Sequence, residues 1–513
     1  MNNNLHFFIA ALFLSELASA AEFKTIEQSG IFEVESGEYE SSQMVLIDSY
    51  GKNITVNVDT DGGGSVNITT GLSTTWALDS YGNYDSKSGG GSIIWNGGLY
   101  LNMRTAYNDF KPILANDGNS SIKLNGNLSV CAENSGANSR YSHNTFLIAN
   151  EFYSKSEFNG DVDLSATTSN SAGDSIGAGV IVLRGEGVDM SLGDSSGDKI
   201  KIHGISTIAN GGAESYGIYG YNYGGYNLNY VINVKGSALI EDINARSESS
   251  YSYAAGAEIH GGTLNFMGDL TIKDINAETT LALAAYNGGT INIKGDSDRT
   301  VKIESDIEVA GGGSSVNLYL SGSESYMVGG ISEFEGGAAT VSISEGAAWY
   351  INKNSSAASL EIDGGVLVLE SGGRLEYGSK LSIGGESQLV FFSDNPGKTG
   401  NIALVGSAYV DASESAIIKV VLGDYYKDLT GECYLLLIDT TGIVESVDLD
   451  LENLSGIFVW EDGGESAVGW SLEFADGEGL YAVYNIPEPS VIAMFFSMAA
   501  LLSVFLRRKH YAK

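Results

Sequence analysis

The segments KGSALIEDINA (235–245) and MGDLTIKDINA (267–277) repeat one theme, and their alignment places Ala238 opposite Leu270. A related pair, GGTLNF at 261–266 and GGTINI at 288–293, places Thr263 opposite Thr290. NGNLSV at 125–130 is likewise followed by NGDVDL at 159–164. Periods of roughly 20 to 50 residues are typical of repeat architectures, in which neighbouring copies stack on one another. All three spacings fall within that range, so the sequence predicts a solenoid.

Within each copy, apolar and polar residues alternate. In TINIK (290–294) the two isoleucines point to one side and the polar residues to the other, which is the period-two pattern of a β-strand. Asn-Gly, Gly-Gly and Gly-Asp pairs separate such runs and favour tight turns. We therefore predict an all-β fold, specifically a parallel, right-handed β-helix or a closely similar solenoid. A β-propeller is the rival architecture, but the WD and kelch signatures are missing.

The rhythm of the strands changes along the chain and indicates domain boundaries. Residues 21–119 are less regular and predict an N-terminal cap with irregular first coils, whereas residues 120–410 carry the solenoid repeats. From residue 411 the apolar runs grow longer. Because the end of a solenoid exposes unpaired strand edges, we expect residues 411–485 to form an antiparallel cap.

The N-terminus has the order of a secretory signal peptide. Residues 5–14 (LHFFIAALFL) are apolar, and the small residues Ala18 and Ala20 follow them. This order predicts a signal peptide over residues 1–20, cut by signal peptidase before Ala21. A buried N-terminal strand is the alternative.

The C-terminus has the order of a membrane anchor. Pro487, Glu488 and Pro489 precede an uncharged stretch at 490–506 (SVIAMFFSMAALLSVFL), which Arg507, Arg508 and Lys509 follow. As a helix this stretch would span ~25 Å, enough for a slightly thinned bilayer. The three basic residues predict a stop-transfer signal that holds this end in the cytoplasm. We expect a single transmembrane helix here, with a buried core helix as the alternative.

This order of motif, apolar span and basic tail resembles the PEP-CTERM sorting domain of exported proteins in Gram-negative bacteria. The resemblance covers roughly residues 485–513, and the tail proper is 486–513. It implies that an exosortase-type membrane enzyme recognises the motif and processes the chain there. The repeats are also similar in style to the β-helical passenger region of autotransporter adhesins. Together these likenesses imply an exported protein of the cell surface or of the extracellular polysaccharide matrix.

Composition narrows the remaining function classes. The 64 acidic and 27 basic residues give a net charge of −37, which argues against nucleic acid as a partner. None of His143, His203 and His260 belongs to a catalytic motif such as G-x-S-x-G or HExxH, and no CxxC pair occurs, so we predict no catalytic residue and no metal or cofactor site. Acidic turns such as 194–198 (DSSGD) could offer oxygens to Ca²⁺, but solvent-facing turns are the default. Cys131 and Cys433 are expected to be buried thiols.

Tyrosines crowd residues 216–230. In an extended strand Tyr219, Tyr221 and Tyr223 point to one side, where their rings could stack on a polysaccharide or contact a surface protein. An aromatic ladder packed over a coil and a glycine-rich loop are the alternatives. The sequence thus predicts a surface-sorted, structural or adhesin-like protein without enzymatic activity. The alternative is a secreted β-helical polysaccharide lyase or glycosidase, whose chemistry paired carboxylates would perform.

Overall fold

The computed structural model describes residues 20–485 except 60–61, 71–75, 82–89, 117, 137–141, 184, 222–228, 444–450, 452–453, 463–464 and 476. Its described part is all-β apart from one short 3₁₀ helix, Asp424–Asp428. The chain divides into two compact units, unit 1 (Met1–Val366) and unit 2 (Leu367–Lys513). The predicted membrane helix and basic tail lie outside the described residues, as does the signal peptide up to residue 19. Within the described ranges, no helix is long and apolar enough to cross a bilayer.

Unit 1 is a parallel β-solenoid whose chain runs through three sheets in turn, here called face 1, face 2 and face 3. The strands of face 1 are Gly30–Val34, Asn53–Val58, Ser92–Asn96, Ser121–Asn125, Lys155–Asn159, Asp189–Leu192, Val231–Val234, Thr263–Phe266, Thr290–Lys294, Ser315–Ser321, Ala338–Ser344 and Ser359–Asp363. The strands of face 2 are Ala21–Glu22, Gly37–Ser41, Ser65–Thr70, Gly98–Thr105, Leu128–Gly136, Val162–Asn170, Lys199–Ala209, Ser237–Ser247, Leu270–Asn276, Val301–Glu304, Tyr326–Val328 and Ala348–Ile351. The strands of face 3 are Val45–Asp48, Trp76–Tyr81, Asp109–Phe110, Ile113–Asn116, His143–Glu151, Ser175–Leu183, Ala213–Tyr221, Ser252–His260, Thr279–Tyr286, Ile307–Ala310 and Ile331–Phe334, beside which Asn354–Ala357 lies.

The register between neighbouring strands reproduces the alignment of the repeated segments. Asn125 pairs with Asn159, Ala238 with Leu270, and Thr263 with Thr290. These are the same partners that the repeats place opposite one another, so one copy of the repeat forms one coil. The predicted parallel solenoid is confirmed, while its right-handed turn stays a prediction.

Alternating burial fills the interior of unit 1. In the face 1 strand Asn53–Val58, the apolar residues Ile54, Val56 and Val58 are buried, and the polar residues between them lie on the other side. The same alternation continues in Ser121–Asn125, which buries Ile122 and Leu124. Each buried aliphatic side chain contributes roughly 1.5–3 kcal/mol relative to an exposed one. The stacked rows therefore form one continuous apolar core along unit 1.

Two ladders of asparagine side chains connect successive coils on face 1. In each ladder the side-chain Nδ2 of one asparagine donates to Oδ1 of the asparagine one coil earlier, over 2.7–2.9 Å. The ladders consist of Asn57, Asn96, Asn125 and Asn159, and of Asn233, Asn265, Asn292 and Asn317. Each side-chain amide can donate to an asparagine of one neighbouring coil and accept from an asparagine of the other. The ladder therefore stabilises only the in-register stacking of the coils.

The turn that follows Asn125, a member of the first ladder, requires glycine. Gly126 follows Asn125 with φ +146°, a conformation that other residues rarely adopt. A Cβ at this position would lie 2.3 Å from the carbonyl oxygen of Gly97 in the preceding coil. The Asn-Gly pair at this position therefore marks a corner where the backbones of successive coils lie close together.

Unit 2 combines parallel and antiparallel pairing. Its strands are Val366–Leu369, which includes the boundary residue, Arg374–Tyr377, Lys380–Gly384, Gln388–Ser393, Asn401–Gly406, Tyr409–Ala412, Ile417–Leu422, Cys433–Ile443, Ser455–Trp460, Trp470–Ala475 and Gly479–Tyr484. Ile417–Leu422 and Ser455–Trp460 pair in parallel, as the coils of unit 1 do. Gly479–Tyr484 pairs antiparallel with both Cys433–Ile443 and Trp470–Ala475. Antiparallel strands are thus present where the sequence predicts them, together with parallel ones.

The prediction for the two cysteines is half right. Cys433 is a buried free thiol, as expected, but Cys131 is exposed. Cys131 lies between the buried residues Val130 and Ala132 on a face 2 strand. Since side chains alternate along a strand, its thiol points away from the core.

Replacing Asn125 by Ala removes two ladder hydrogen bonds at once, one to Asn96 and one from Asn159. At about 1 kcal/mol for each bond, we expect a local loss of about 2 kcal/mol. Hydrogen exchange should become faster in Ser92–Asn96 and Lys155–Asn159 and stay unchanged near residue 300. The control is Asn102→Ala, at an exposed position on face 2. Equal exchange in both variants would contradict a structural role for the ladder.

Candidate functional site

Face 3 differs from the other two faces because its middle strands are buried on both sides. In Ala213–Tyr221 and Ser252–His260, every residue between the second and the last is buried. Strands of this kind normally lie between two layers of structure. The side chains on the outer side of these face 3 strands are therefore buried, whereas the outer side of an ordinary coil carries solvated polar side chains.

A second cluster of buried residues spans six neighbouring strands of face 3. Matching positions in successive coils form its rows, since Tyr216 pairs with Ala255 and Tyr219 pairs with Glu258. The apolar and aromatic members are Leu114, Phe146, Ala149, Ala178, Ile181, Tyr216, Tyr219, Ala255, Leu281 and Ala284. At its rim the cluster becomes aromatic and acidic, and this rim is the strongest candidate for a functional site.

A backbone irregularity brings two tyrosine rings together on this side. Tyr216 and Tyr219 are three residues apart, yet their rings stack with centroids 4.0 Å apart and planes inclined by 4°. Gly217 lies between them, opposite Gly256 of the next coil. A Cβ on Gly217 would lie 2.4 Å from the Gly256 carbonyl oxygen, so this position requires the smallest residue.

Two carboxylates hold the rim tyrosines by hydrogen bonds. Glu214 accepts from the hydroxyls of Tyr216, at 2.9 Å, and Tyr251. Glu258 accepts from the hydroxyl of Tyr253 at 2.5 Å, and its second oxygen lies 2.6 Å from Nε2 of His260. These groups lie on the neighbouring strands Ala213–Tyr221 and Ser252–His260, apart from Tyr251, which directly precedes the second strand.

The same arrangement continues one coil further along face 3. Tyr286 donates to Glu308 at 2.8 Å, and the His260 ring lies 5.0 Å from the Tyr286 ring between their centroids. Tyrosine hydroxyls and carboxylates thus recur on four successive strands of face 3, from Ala213–Tyr221 to Ile307–Ala310.

The electrostatic potential at this rim is negative. Burial, followed by the charge of Glu258, raises the pKa of Tyr216, Tyr219 and Tyr253 far above the ordinary value. The hydrogen bond to Glu214 raises the pKa of Tyr251. The tyrosines therefore remain protonated at physiological pH and act as donors to the carboxylates.

A depression of about 260 Å³ opens at this rim. Glu214, Tyr216, Tyr251, Tyr253, Glu258 and Tyr286 line it, together with Ser252 and Thr279. None of these described lining residues is basic. Aromatic faces and carboxylates around one concave site can hold a small polar ligand by ring contacts and hydrogen bonds.

The tyrosines that the sequence singles out lie partly in this cluster. Tyr219 and Tyr221 lie on one side of their strand, with ring centroids 5.5 Å apart, whereas Tyr223 lies outside the described residues. Tyr219 is only 7% exposed, so its ring packs inside the cluster. The sequence reasoning missed Glu214, Glu258 and the neighbouring tyrosines. Aligning the two coils in the observed register, which pairs Tyr219 with Glu258, could have found them.

The other predicted site residues fall at or beyond the ends of the described chain. Pro487, Glu488, Pro489, Arg507, Arg508, Lys509 and Ala18 lie outside the described residues. Ala20 and Ala21 are described, and Ala21 begins the first strand of face 2. In the acidic turn at 194–198, Asp198 accepts hydrogen bonds from the backbone N–H groups of Asp194 and Ser195. In the part of the chain that the structure describes, no three His, Cys, Asp or Glu side chains are grouped to hold a metal ion.

A second polar cluster lies on face 3 in the early coils. Lys111 Nζ lies 2.8 Å from Glu151 Oε1 and 3.0 Å from Asp109 Oδ2. Nearby Asp79 is 9% exposed, and its Oδ1 has no hydrogen-bond partner. Burial and the charge of Asp48 raise the pKa of Asp79 to about 7, an effect that Lys111 opposes and Glu151 reinforces. This carboxyl group is therefore neutral in mildly acidic solution and charged above neutrality.

Compared with known proteins, the chain matches no family model and no curated protein sequence. The geometry described above is therefore the basis for a functional assignment.

Replacing Asp79 by Asn should make the stability of unit 1 less dependent on pH. The unfolded carboxyl group ionises near pH ~4, whereas the folded one ionises near pH 7, so the folded state holds its proton more tightly. The Asp79 contribution to stability therefore falls as pH rises from ~4 to about 7. At pH ~8 the asparagine variant should be more stable by as much as ~4 kcal/mol, with little difference at pH ~4.

Thermal unfolding followed by circular dichroism at the two pH values measures this difference. The control is Asp363→Asn at an exposed position, which should not change the pH dependence. A variant that behaves like the unmodified chain at the higher pH would contradict the assignment of a buried charge to Asp79.

Proposed function

We propose that the chain is an exported structural protein whose β-solenoid is displayed on the cell surface or in the extracellular polysaccharide matrix. In this proposal signal peptidase removes residues 1–20, and the C-terminal tail anchors the chain in the inner membrane. An exosortase-type enzyme then processes the chain at Pro487, Glu488 and Pro489. The proposed role is adhesive or architectural, without catalysis.

The position of the described strands between the two processing signals carries this proposal. The first strand begins at Ala21, directly after the proposed signal-peptidase cut, and the last strand ends at Tyr484. Both cuts would therefore leave every described strand intact. The prolines of the motif also support it, since proline lacks an N–H and fixes φ, which keeps a segment extended and outside a sheet.

The physical character of the solenoid supports a structural role. The strands of successive coils pair in parallel by backbone hydrogen bonds, and the asparagine ladders add side-chain bonds between them. A net charge of −37 keeps such a protein soluble and repels other acidic surfaces. These are useful properties for a protein in a hydrated matrix.

The depression at the rim of face 3 supports a second candidate, a β-helical carbohydrate-active enzyme. Glu214 and Glu258 line this depression together, as the acid and base of a glycosidase would. However, tyrosine hydroxyls engage both carboxylates, and His260 engages Glu258 as well. This favours a binding role over catalysis.

Replacing Pro487 and Pro489 together by Ala should stop processing of the C-terminus. We expect the variant to accumulate uncleaved in the membrane fraction. Alanine does not fix φ as proline does, so the motif would no longer be held in the extended conformation that the enzyme binds. Fractionation with mass spectrometry of the C-terminus measures the outcome. Pro396→Ala is the matched control, since Pro396 lies far from the motif in sequence. This variant should be processed normally. Unchanged processing of the double variant would refute the sorting role.

A further inference from the structure

We infer that the depression at the rim of face 3 binds the protonated amino group of an amino sugar, such as an unacetylated glucosamine unit of a polysaccharide. This inference rests on the proposed function, because it names the ligand that such a matrix protein would hold. Its site consists of Glu214, Tyr216, Tyr251, Tyr253, Glu258 and Tyr286.

The charge of the site selects a cation. Two carboxylates line the depression and no described lining residue is basic, while the one imidazole beside them, that of His260, contacts Glu258; an ammonium ion entering the depression therefore meets a net negative potential. Glu258 has a side chain that is only 7% exposed, which weakens the screening of its charge by water. The hydroxyls that these carboxylates bind are neutral donors, so they fix the carboxylates in place without cancelling their charge.

The aromatic side chains select an organic cation with a flat, apolar face. The negative faces of tyrosine rings attract ammonium groups within about 6 Å, and they also pack against the C–H face of a pyranose ring. Tyr251 is 52% exposed and stands at the edge of the depression, where it can contact a ligand. Tyr216 is 3% exposed and forms part of the base of the site.

The size of the depression favours a single sugar unit. Its volume of about 260 Å³ lies near the lower limit of ligand pockets, which begin at roughly 300 Å³. One ring of an oligosaccharide can enter while its neighbours stay on the surface. A lysine side chain would satisfy the carboxylates but would present no ring face to Tyr251.

The test is isothermal titration calorimetry of the full chain in detergent with a glucosamine tetramer. The fully N-acetylated tetramer and tetralysine are the comparison ligands. We expect binding of the glucosamine tetramer alone, and its loss as pH rises and the amine loses its proton. Equal binding of the acetylated tetramer, preferential binding of tetralysine, or no binding of the glucosamine tetramer would each overturn the inference.

Two substitutions locate the binding site. Glu214→Gln and Tyr251→Ala should each weaken binding about tenfold or more, because each removes a direct contact with the ammonium group or the ring. Glu432→Gln and Tyr434→Ala are the matched controls, since this exposed tyrosine also donates to a glutamate, and they should bind like the unmodified chain. Normal binding by the Glu214 and Tyr251 variants would overturn the inference even if the ligand binds elsewhere.

Analysis of the glucosamine tetramer after incubation with the chain tests this inference separately from the proposed function. An intact tetramer after incubation agrees with binding, whereas cleaved tetramer would overturn the non-catalytic proposal. Processing at Pro487, Glu488 and Pro489 is measured independently of sugar binding. A chain that is sorted but binds no amino sugar would therefore defeat the inference alone.

Discussion

Parallel, in-register stacking of coils at a spacing of ~4.8 Å is the constraint on which unit 1 depends. Each strand uses its backbone N–H and C=O groups on the strands before and after it, so every coil needs its neighbours. The spacing also brings equivalent side chains into contact. Stacked asparagines form a ladder of hydrogen bonds, and an isoleucine stacked on a leucine contributes to the core. Stacked glycines allow the backbones of neighbouring coils to approach each other at the corners.

Face 3 shows the same constraint producing a site. Stacking places Glu258 of one coil beside Tyr219 of the previous coil and Ala284 of the next. Residues that are far apart in sequence therefore converge without any catalytic-type motif. The negative potential of the carboxylates and the high tyrosine pKa values follow from this crowding.

The sequence was informative wherever the repeated segments resemble one another. Their alignment correctly predicted that Ala238 pairs with Leu270 and Thr263 with Thr290, because the strands of successive coils stack in register. It was less informative about face 3, where Tyr219 pairs with Glu258 and no repeated segment aligns the two coils. The burial of Cys131 was inferred from its residue type. The period-two alternation of the strand around it would have predicted an exposed thiol instead. The roles assigned to the chain ends come from motif order alone.

A pair of cysteines placed across two coils tests the stacking most directly. Asn265 and Asn292 pair across face 1, so cysteines at both positions should have Cα atoms ~4.8 Å apart, within the ~4.4–6.8 Å range of a disulfide. With Cys131 and Cys433 changed to Ser, mild oxidation of Asn265→Cys/Asn292→Cys should give an intramolecular disulfide, detected by mass spectrometry of non-reduced peptides. The control Asn265→Cys/Lys294→Cys moves one partner further along its strand, to ~8 Å, and should remain reduced. Cross-linking of the control pair, or no cross-link in the first pair, would contradict the register and the solenoid built on it.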